Sequence, residues 1–564
     1  MKSLIKYITI VFIAGGLLQS CETTDLDLRT SPNELASDQA DPNLLLTSVQ
    51  LAYGTNQQTF SNVSAELTRI DNMFGRVYFN NYSGATMNGV WARTYSSGGN
   101  GVGDPVSVGI LTNLQNLEAL DAANPDLDLS FHVGVAKTLY AHSLMQLVDF
   151  LGEAAFTQAG NPEEFPAPVL DDGETVYDGA FALLGEAKNL LDGGPATLGA
   201  TDIYYNGDTD KWVKLIGTLQ MKYHMMKGQN AQFQAIASND DNYISSSDDD
   251  FFLQYGTSEL QPDTRHPDYA ADYTPSGANI YQSNWLMETM LNEGGTPDPR
   301  IRYYFYRQTG ETPGAGGVEP DEERLACSLA QPPQHYIDGG FTYCSVPNGY
   351  WGRSHGNDEG TPPDNFFRTA VGVYPAGGKF DDSDFDVDPD DPSYDPSVGL
   401  GKGGGGAGIE PILMASYVDF WKGYMAGSDA ERKAFMLEGL DKSVTTVSGF
   451  GALDGSADLS FEPSDEDIEA YLDEVDAAYD ANPDNVFAEQ YFITLYGGAT
   501  EAWNYYRLTG FPNTLNPSWE PSPGPFPLTI FFPTNEVTTN VNVNQRTSLD
   551  EPVFWNSGGC PTCY

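Results

Sequence analysis

The stretch LSFHVGVAKTLYAHSLMQLVDFLG, residues 129–152, sets the tightest limit on how this chain can fold. Phe131, Val135 and Leu139, then Leu144, Leu147, Val148 and Leu151, recur at helical spacing and form a broad apolar stripe that Gly152 stops. A stripe that wide must be covered by other helices. Comparable segments supply them. NLLLTSVQLAYG reads as a helix ending at Gly54, and ETVYDGAFALLGEAKNLLDGG as one ending at paired glycines. DTDKWVKLIGTLQMKYHMMKG places Trp212, Leu215, Ile216, Leu219 and Tyr223 on one face, with Asp210 as cap and Gly228 as stop. PILMASYVDFWKGYMAG opens with Pro411 in a first-turn position, and two more helical segments close the set before residue 511. Trp212, Trp421 and Trp503 fall on these stripes and are expected in the core.

Residues 255–408 break the pattern. They are rich in Gly, Pro and Asp and show few helical periods, and loops of that length are usually functional or disordered. The expected class is mainly α: tetratricopeptide-type helix pairs with a large irregular, loop-rich half. The scaffold would span about 43–254 and 409–510 with the insertion between them, in one domain covering 43–564.

The N-terminus is a different object. Lys2 and Lys6 precede an apolar run from Tyr7 to Leu18, too short to span a bilayer and right for a signal-peptide core. It ends Leu18-Gln19-Ser20-Cys21, the pattern of a bacterial lipoprotein signal. Cleavage after residue 20 would leave Cys21 as the lipidated first residue, with residues 21–42 as a polar tether. A net charge of −52 excludes nucleic acid and anionic lipid as partner surfaces, while 12% aromatic content argues for a folded chain. Outside the inner membrane, the remaining cysteines are expected as disulfides, Cys327–Cys344 and Cys560–Cys563, in preference to a zinc site.

Several short motifs imitate catalytic ones. Gly352-Arg353-Ser354-His355-Gly356 reads G-x-S-x-G, the nucleophile elbow of serine hydrolases. HGNDEGTPPDN follows it, which cannot start a helix, and His355 is the last histidine, so the triad order fails. The expectation is a tight loop shaped by its glycines. Gly401, Gly403 and Gly406 spell G-x-G-x-x-G without a preceding strand and are expected to wedge against other backbone. Asp384, Asp386 and Asp388 alternate as hard oxygen ligands that could hold structural Ca²⁺, the one cofactor considered; a solvated acidic loop is the simpler expectation. Trp91, Tyr350 and Trp351 lie among glycines and polar residues and are the candidate ligand-stacking rings.

Taken together, DFLGEAAFTQA, DIYYNGDTDKWVKLIGTLQMKY, NGYWGRSHGNDEGTPPDNFFRTAVGVYPAGGKFD, GGGGAGIEPILMASYVDFWKG, YGGATEAWNYYRLTGFP and VFWN resemble the SusD/RagB-like nutrient-binding lipoproteins of Bacteroidetes, in particular the second SusD-like branch. The resemblance implies a helical fold on tetratricopeptide-type pairs, an outward-facing lipid anchor in the outer membrane, and no catalytic residues. It implies a SusC-like TonB-dependent transporter as partner, with an oligosaccharide or peptide as ligand. Tyr505-Tyr506-Arg507-Leu508 departs from the usual Arg and Trp at that point. The competing reading is a lipid-anchored secreted hydrolase acting on surface glycans or peptides.

Overall fold

Helices of ten residues or more carry the architecture. In chain order they are α1 (Pro42–Leu67), α2 (Ile110–Ala123), α3 (Ser130–Leu151), α4 (Gly173–Leu191), α5 (Thr209–Met226), α6 (Ala415–Tyr424), α7 (Asp429–Ser448), α8 (Asp465–Ala481), α9 (Pro483–Thr494) and α10 (Thr500–Thr509). The computed structural model describes residues 40–96, 108–193, 199–308, 331–343, 346–359, 364–383 and 400–564. Cys21, Cys327, Cys344 and the Asp384–Asp386–Asp388 triplet lie outside them.

The long helices pack as successive neighbours: α1 on α2 and α3, α3 on α4, α4 on α5, then α6 on α7 and α8 on α9. These are the expected helix pairs. The stripe on α3 is nearly all-round, and every residue from Phe131 to Leu151 except Lys137 is buried. Gly152 ends α3 in the left-handed region at φ 78°, where a side chain would be strained. α10 returns to α1. The Ser64 hydroxyl donates to the Ala499 carbonyl (2.6 Å) and accepts from the Trp503 amide (2.9 Å), pinning the two seams together. Trp212, Trp421 and Trp503 are core residues, at most 2% exposed.

Three boundaries differ from the sequence reading. α1 runs through Gly54 to Leu67; Gly54 sits under Leu253, which an added Cβ would approach to 2.9 Å, so close packing outweighs its weak helix propensity. The cap of α5 is Asp208, whose carboxylate accepts from the amides of Asp210 and Lys211, placing Asp210 in the first turn. Pro411 lies in a strand, not a helix.

That strand belongs to the second layer of organisation. β1 (Phe251–Gln254) and β4 (Ile409–Leu413) pair antiparallel, Leu253 opposite Glu410, with a register irregularity between Phe251 and Phe252. A two-stranded ribbon with an irregular register tolerates Pro411. The insertion therefore leaves and rejoins the scaffold through one ribbon. Within it, β2 (Phe305–Tyr306) pairs with β3 (Ala370–Val371), and the described helices are short, such as Pro267–Asp272 and Asn284–Leu291.

Side-chain hydrogen bonds hold the insertion where regular ladders do not. Asp272 accepts from the amides of Asn279 (3.0 Å), Ile280 (2.7 Å) and Val371 (3.0 Å). Burial pushes its pKa up to about 7, against the pull of those three amides. The glycine-rich run is wedged as expected: a Cβ on Gly403 would lie 2.1 Å from the Gly378 carbonyl, and one on Gly408 1.9 Å from that of Pro375.

Candidate functional site

Just after α1 the chain turns at Arg69, a non-glycine residue at φ 61° and 1% exposed. Its guanidinium donates to the backbone oxygens of Asn516 (3.2 Å), Leu67 (2.6 Å) and Tyr564 (2.7 Å), which fixes the turn. The next residues meet the insertion. Asp71 bridges Gln282, Ser283 bridges Arg353, and the Ser283 hydroxyl donates to the Arg69 carbonyl (2.6 Å). Scaffold, insertion and GRSHG loop thus converge within a few residues.

An aromatic platform stands at this junction. The rings of Phe74 and Tyr281 are parallel to within 2°, with centroids 6.2 Å apart. The Arg353 guanidinium lies against both, 5.0 Å from Phe74 and 4.6 Å from Tyr281, and that of Arg368 sits 3.7 Å from Tyr281. Tyr281 is locked: its hydroxyl donates to Asp364 (2.8 Å) and accepts from Arg368 (2.8 Å). Burial and the adjacent Asp364 hold its phenol up at about 12. Phe74, by contrast, is 48% exposed. The two rings border an open pocket of about 310 Å³, shared with Asn72, Asn279, Arg353 and Arg368.

Behind Tyr281 lies a second chamber of about 230 Å³ that shares Asn72, Ile280 and Tyr281 with the first. Glu66 from α1, Asp71, Asp268 and Glu410 from β4 face it. Burial raises Glu66 and Asp71 to about 7 each, with Asp268 and Glu66 adding to the shift on Asp71. Glu410 is 3% exposed and is held well above the carboxylate range by burial, then by Asp268 and Asp71.

The rings chosen from sequence sit elsewhere. Tyr350 is 2% exposed, under the Arg307 guanidinium, and Trp351 is 1% exposed, stacked on Phe367 with centroids 5.2 Å apart. Both pack beneath the loop, so in this structure neither presents an open face; a ring in a glycine-rich turn has the same local sequence in either case. Trp91 borders a separate groove of about 430 Å³, and its indole N–H donates to Glu536 (3.0 Å). Phe74, Tyr281 and Glu410 were missed. Only Glu410 left a trace, as a lone acid in the apolar run GIEPIL.

The elbow resolves as a loop. The Ser354 hydroxyl lies 3.4 Å from the carbonyls of Thr342 and Tyr343, and His355 pairs with the Tyr78 hydroxyl (3.2 Å) instead of the serine. Gly356 turns the chain at φ 78°. Burial holds the His355 imidazole well below its usual pKa. Cys560 and Cys563 are joined in a disulfide, as expected.

Residues 33–324, more than half of the 564-residue chain, match the second SusD-like family, described as starch-binding and associating with the outer membrane. The chain belongs to the SusD-like family. Solved structures share the fold of this SusD-like protein. A SusD/RagB family protein from Bacteroides thetaiotaomicron superposes with a TM-score of 0.61 at 16% identity, over 93% of this chain and 100% of that one. A SusD homologue from Bacteroides fragilis gives 0.58 at 16% identity, over 92% and 99%. A chitin-binding SusD homologue from Flavobacterium johnsoniae gives 0.54 at 15% identity, over 91% and 99%. No curated protein matches by sequence. No helix among the described residues of the SusD-like chain is long and apolar enough to cross a membrane.

Proposed function

We propose that this SusD-like protein is an outer-membrane lipoprotein that captures nutrient glycans at the cell surface and passes them to a SusC-like TonB-dependent transporter. One observation carries the binding role: a half-exposed, guanidinium-backed pair of parallel rings, Phe74 and Tyr281, at the mouth of a polar chamber. Flat apolar faces ringed by fixed donors and acceptors suit pyranose rings, whose C–H faces stack while their hydroxyls hydrogen-bond. The family description and the chitin-binding relative favour glycan over peptide. Anchoring through Cys21 and partnership with the barrel rest on the leader sequence and on the family.

Calorimetry of the full chain against starch, chitin and peptide oligomers tests the reading. Phe74→Ala removes an exposed ring, so it spares the melting temperature while weakening the cognate glycan about thirtyfold, the loss of roughly 2 kcal/mol typical of an aromatic anchor. Unchanged affinity in Phe74→Ala, with a loss in Trp91→Ala, would move the site to the Glu536 groove. Binding of peptides alone would replace the ligand class. Cys21→Ala should shift the protein from the membrane fraction to the soluble one.

A further inference from the structure

We propose that the chamber behind Tyr281 receives a protonated amine, so that the ligand is an amino sugar whose ring rests on the Phe74–Tyr281 platform. This rests on the platform being the glycan site. Four carboxylates face the chamber, and no Lys, Arg or His is among its lining residues. Glu66 is met by neutral donors, the Tyr82 hydroxyl (3.0 Å) and the Asn81 amide (3.4 Å). Among the described residues, no Lys or Arg pairs with Glu410; the closest basic atom is His266 Nε2 at 3.9 Å, beyond hydrogen-bonding reach. That imidazole is itself 2% exposed, and burial lowers its pKa.

A second feature points to an occupant independently of the acids. Gln282 is 2% exposed and forms part of the same wall. Its amide oxygen accepts from the Tyr496 hydroxyl (3.3 Å), while its amide nitrogen has no acceptor among the described residues. Buried polar groups are paired in almost all folded proteins, so an unmet donor beside unmet acceptors marks a place for a ligand carrying both. A hydroxyl next to an ammonium is such a combination.

Among the described residues, no three His, Cys, Asp or Glu side chains come close enough to hold a metal ion. Acids spread around a chamber of about 230 Å³ suit a bulkier cation on a carbon frame. An ammonium offers three N–H donors to acceptors on different sides. A peptide amine shares that charge but lacks a pyranose face for the platform.

The test is calorimetry at pH 7 on the full chain with three probes: a glucosamine trimer, its fully N-acetylated counterpart and a lysine tripeptide. The expected result is that the glucosamine trimer binds at least tenfold tighter than the acetylated one. Glu410→Gln and Asp71→Asn should each erase that preference. Having two variants guards against one that fails to fold, and circular dichroism verifies both. Equal binding of both trimers, or a preference that survives both variants, overturns the proposal. If both trimers bind equally and both lose affinity in Phe74→Ala, the platform reading stands and the chamber proposal alone falls. Tight binding of the lysine tripeptide alone, lost in Glu410→Gln, keeps the amine chamber and rejects the sugar. Failure of all three probes to bind overturns it as well.

Discussion

Two buried acid clusters in this molecule are handled in opposite ways. In the scaffold, Asp149 on α3 and Glu501 on α10 flank the Lys222 ammonium on α5, at 2.9 and 2.5 Å, with the lysine wholly buried. Asn504 donates to both carboxylates, and Tyr177 and Trp555 complete the shell of Asp149. Burial alone would lower the Lys222 pKa, but the two acids outweigh it and hold it above normal. In the chamber, Asp71 and Glu410 are buried, and among the described residues no Lys or Arg pairs with either. A paired buried charge fixes geometry; a buried acid without a cation is driven toward its neutral form and leaves the protein less stable than it could be. The scaffold cluster therefore reads as structure and the chamber cluster as capacity held for a ligand.

Lys222→Met tests the first half of that contrast most severely. It strands Asp149 and Glu501 in the core, and the expected loss is about 3–5 kcal/mol, read by chemical denaturation. A stability change under about 1 kcal/mol would mean that water already compensates the triad. Trp351→Ala follows at about 3 kcal/mol, because a fully packed ring stacked on Phe367 is removed from beneath the loop, with glycan affinity unchanged. Lost affinity at constant stability would restore Trp351 as a ligand platform.

Asp71→Asn probes the chamber, and the sign is opposite. The folded-state pKa of Asp71, about 7, is raised above the ordinary carboxylate value. Its favourable contribution is therefore fully present in acid and lost as the pH rises through 7. The variant should melt higher than the parent at pH 8, with the gap closing toward pH 5. Glu66 titrates in the same window, so the single change captures only part of the effect. A gap that does not vary with pH would show that Asp71 is already ionised and solvated. The smallest effect belongs to Ser354→Ala. Its hydroxyl lies 3.4 Å from the carbonyls of Thr342 and Tyr343, so the expected stability cost is about 0.5 kcal/mol with no change in ligand affinity. Loss of an esterase or peptidase activity in this variant would revive the hydrolase reading.

The scaffold half of the contrast was largely legible in the sequence. Phe131 to Leu151 announce a buried helix because each turn repeats the same demand, and Trp212, Trp421 and Trp503 ride on such turns. Local signals failed where tertiary contact decides. Gly54 looked like a stop until Leu253 packed on it, and Pro411 looked like a helix start until β1 paired with β4. The site was hidden for a stronger reason. Phe74, Tyr281 and Glu410 come from segments far apart in the chain, and none belongs to a periodic pattern. Tyr350 and Trp351 misled because glycine-rich surroundings do not distinguish a ring that faces out from one tucked under.

The seam between α1 and α10 has a consequence for how the molecule is made. The Ser64–Ala499 hydrogen bond joins residues 435 positions apart. The first of the described helices must wait for nearly the last before its apolar face is closed. Contacts this distant in sequence slow folding, because loop-closure entropy is spent before any contact rewards it. During synthesis the leading third of the chain can form helix pairs, but α1 keeps an open flank until α10 arrives, and that interval is when the chain is most exposed to aggregation and proteolysis.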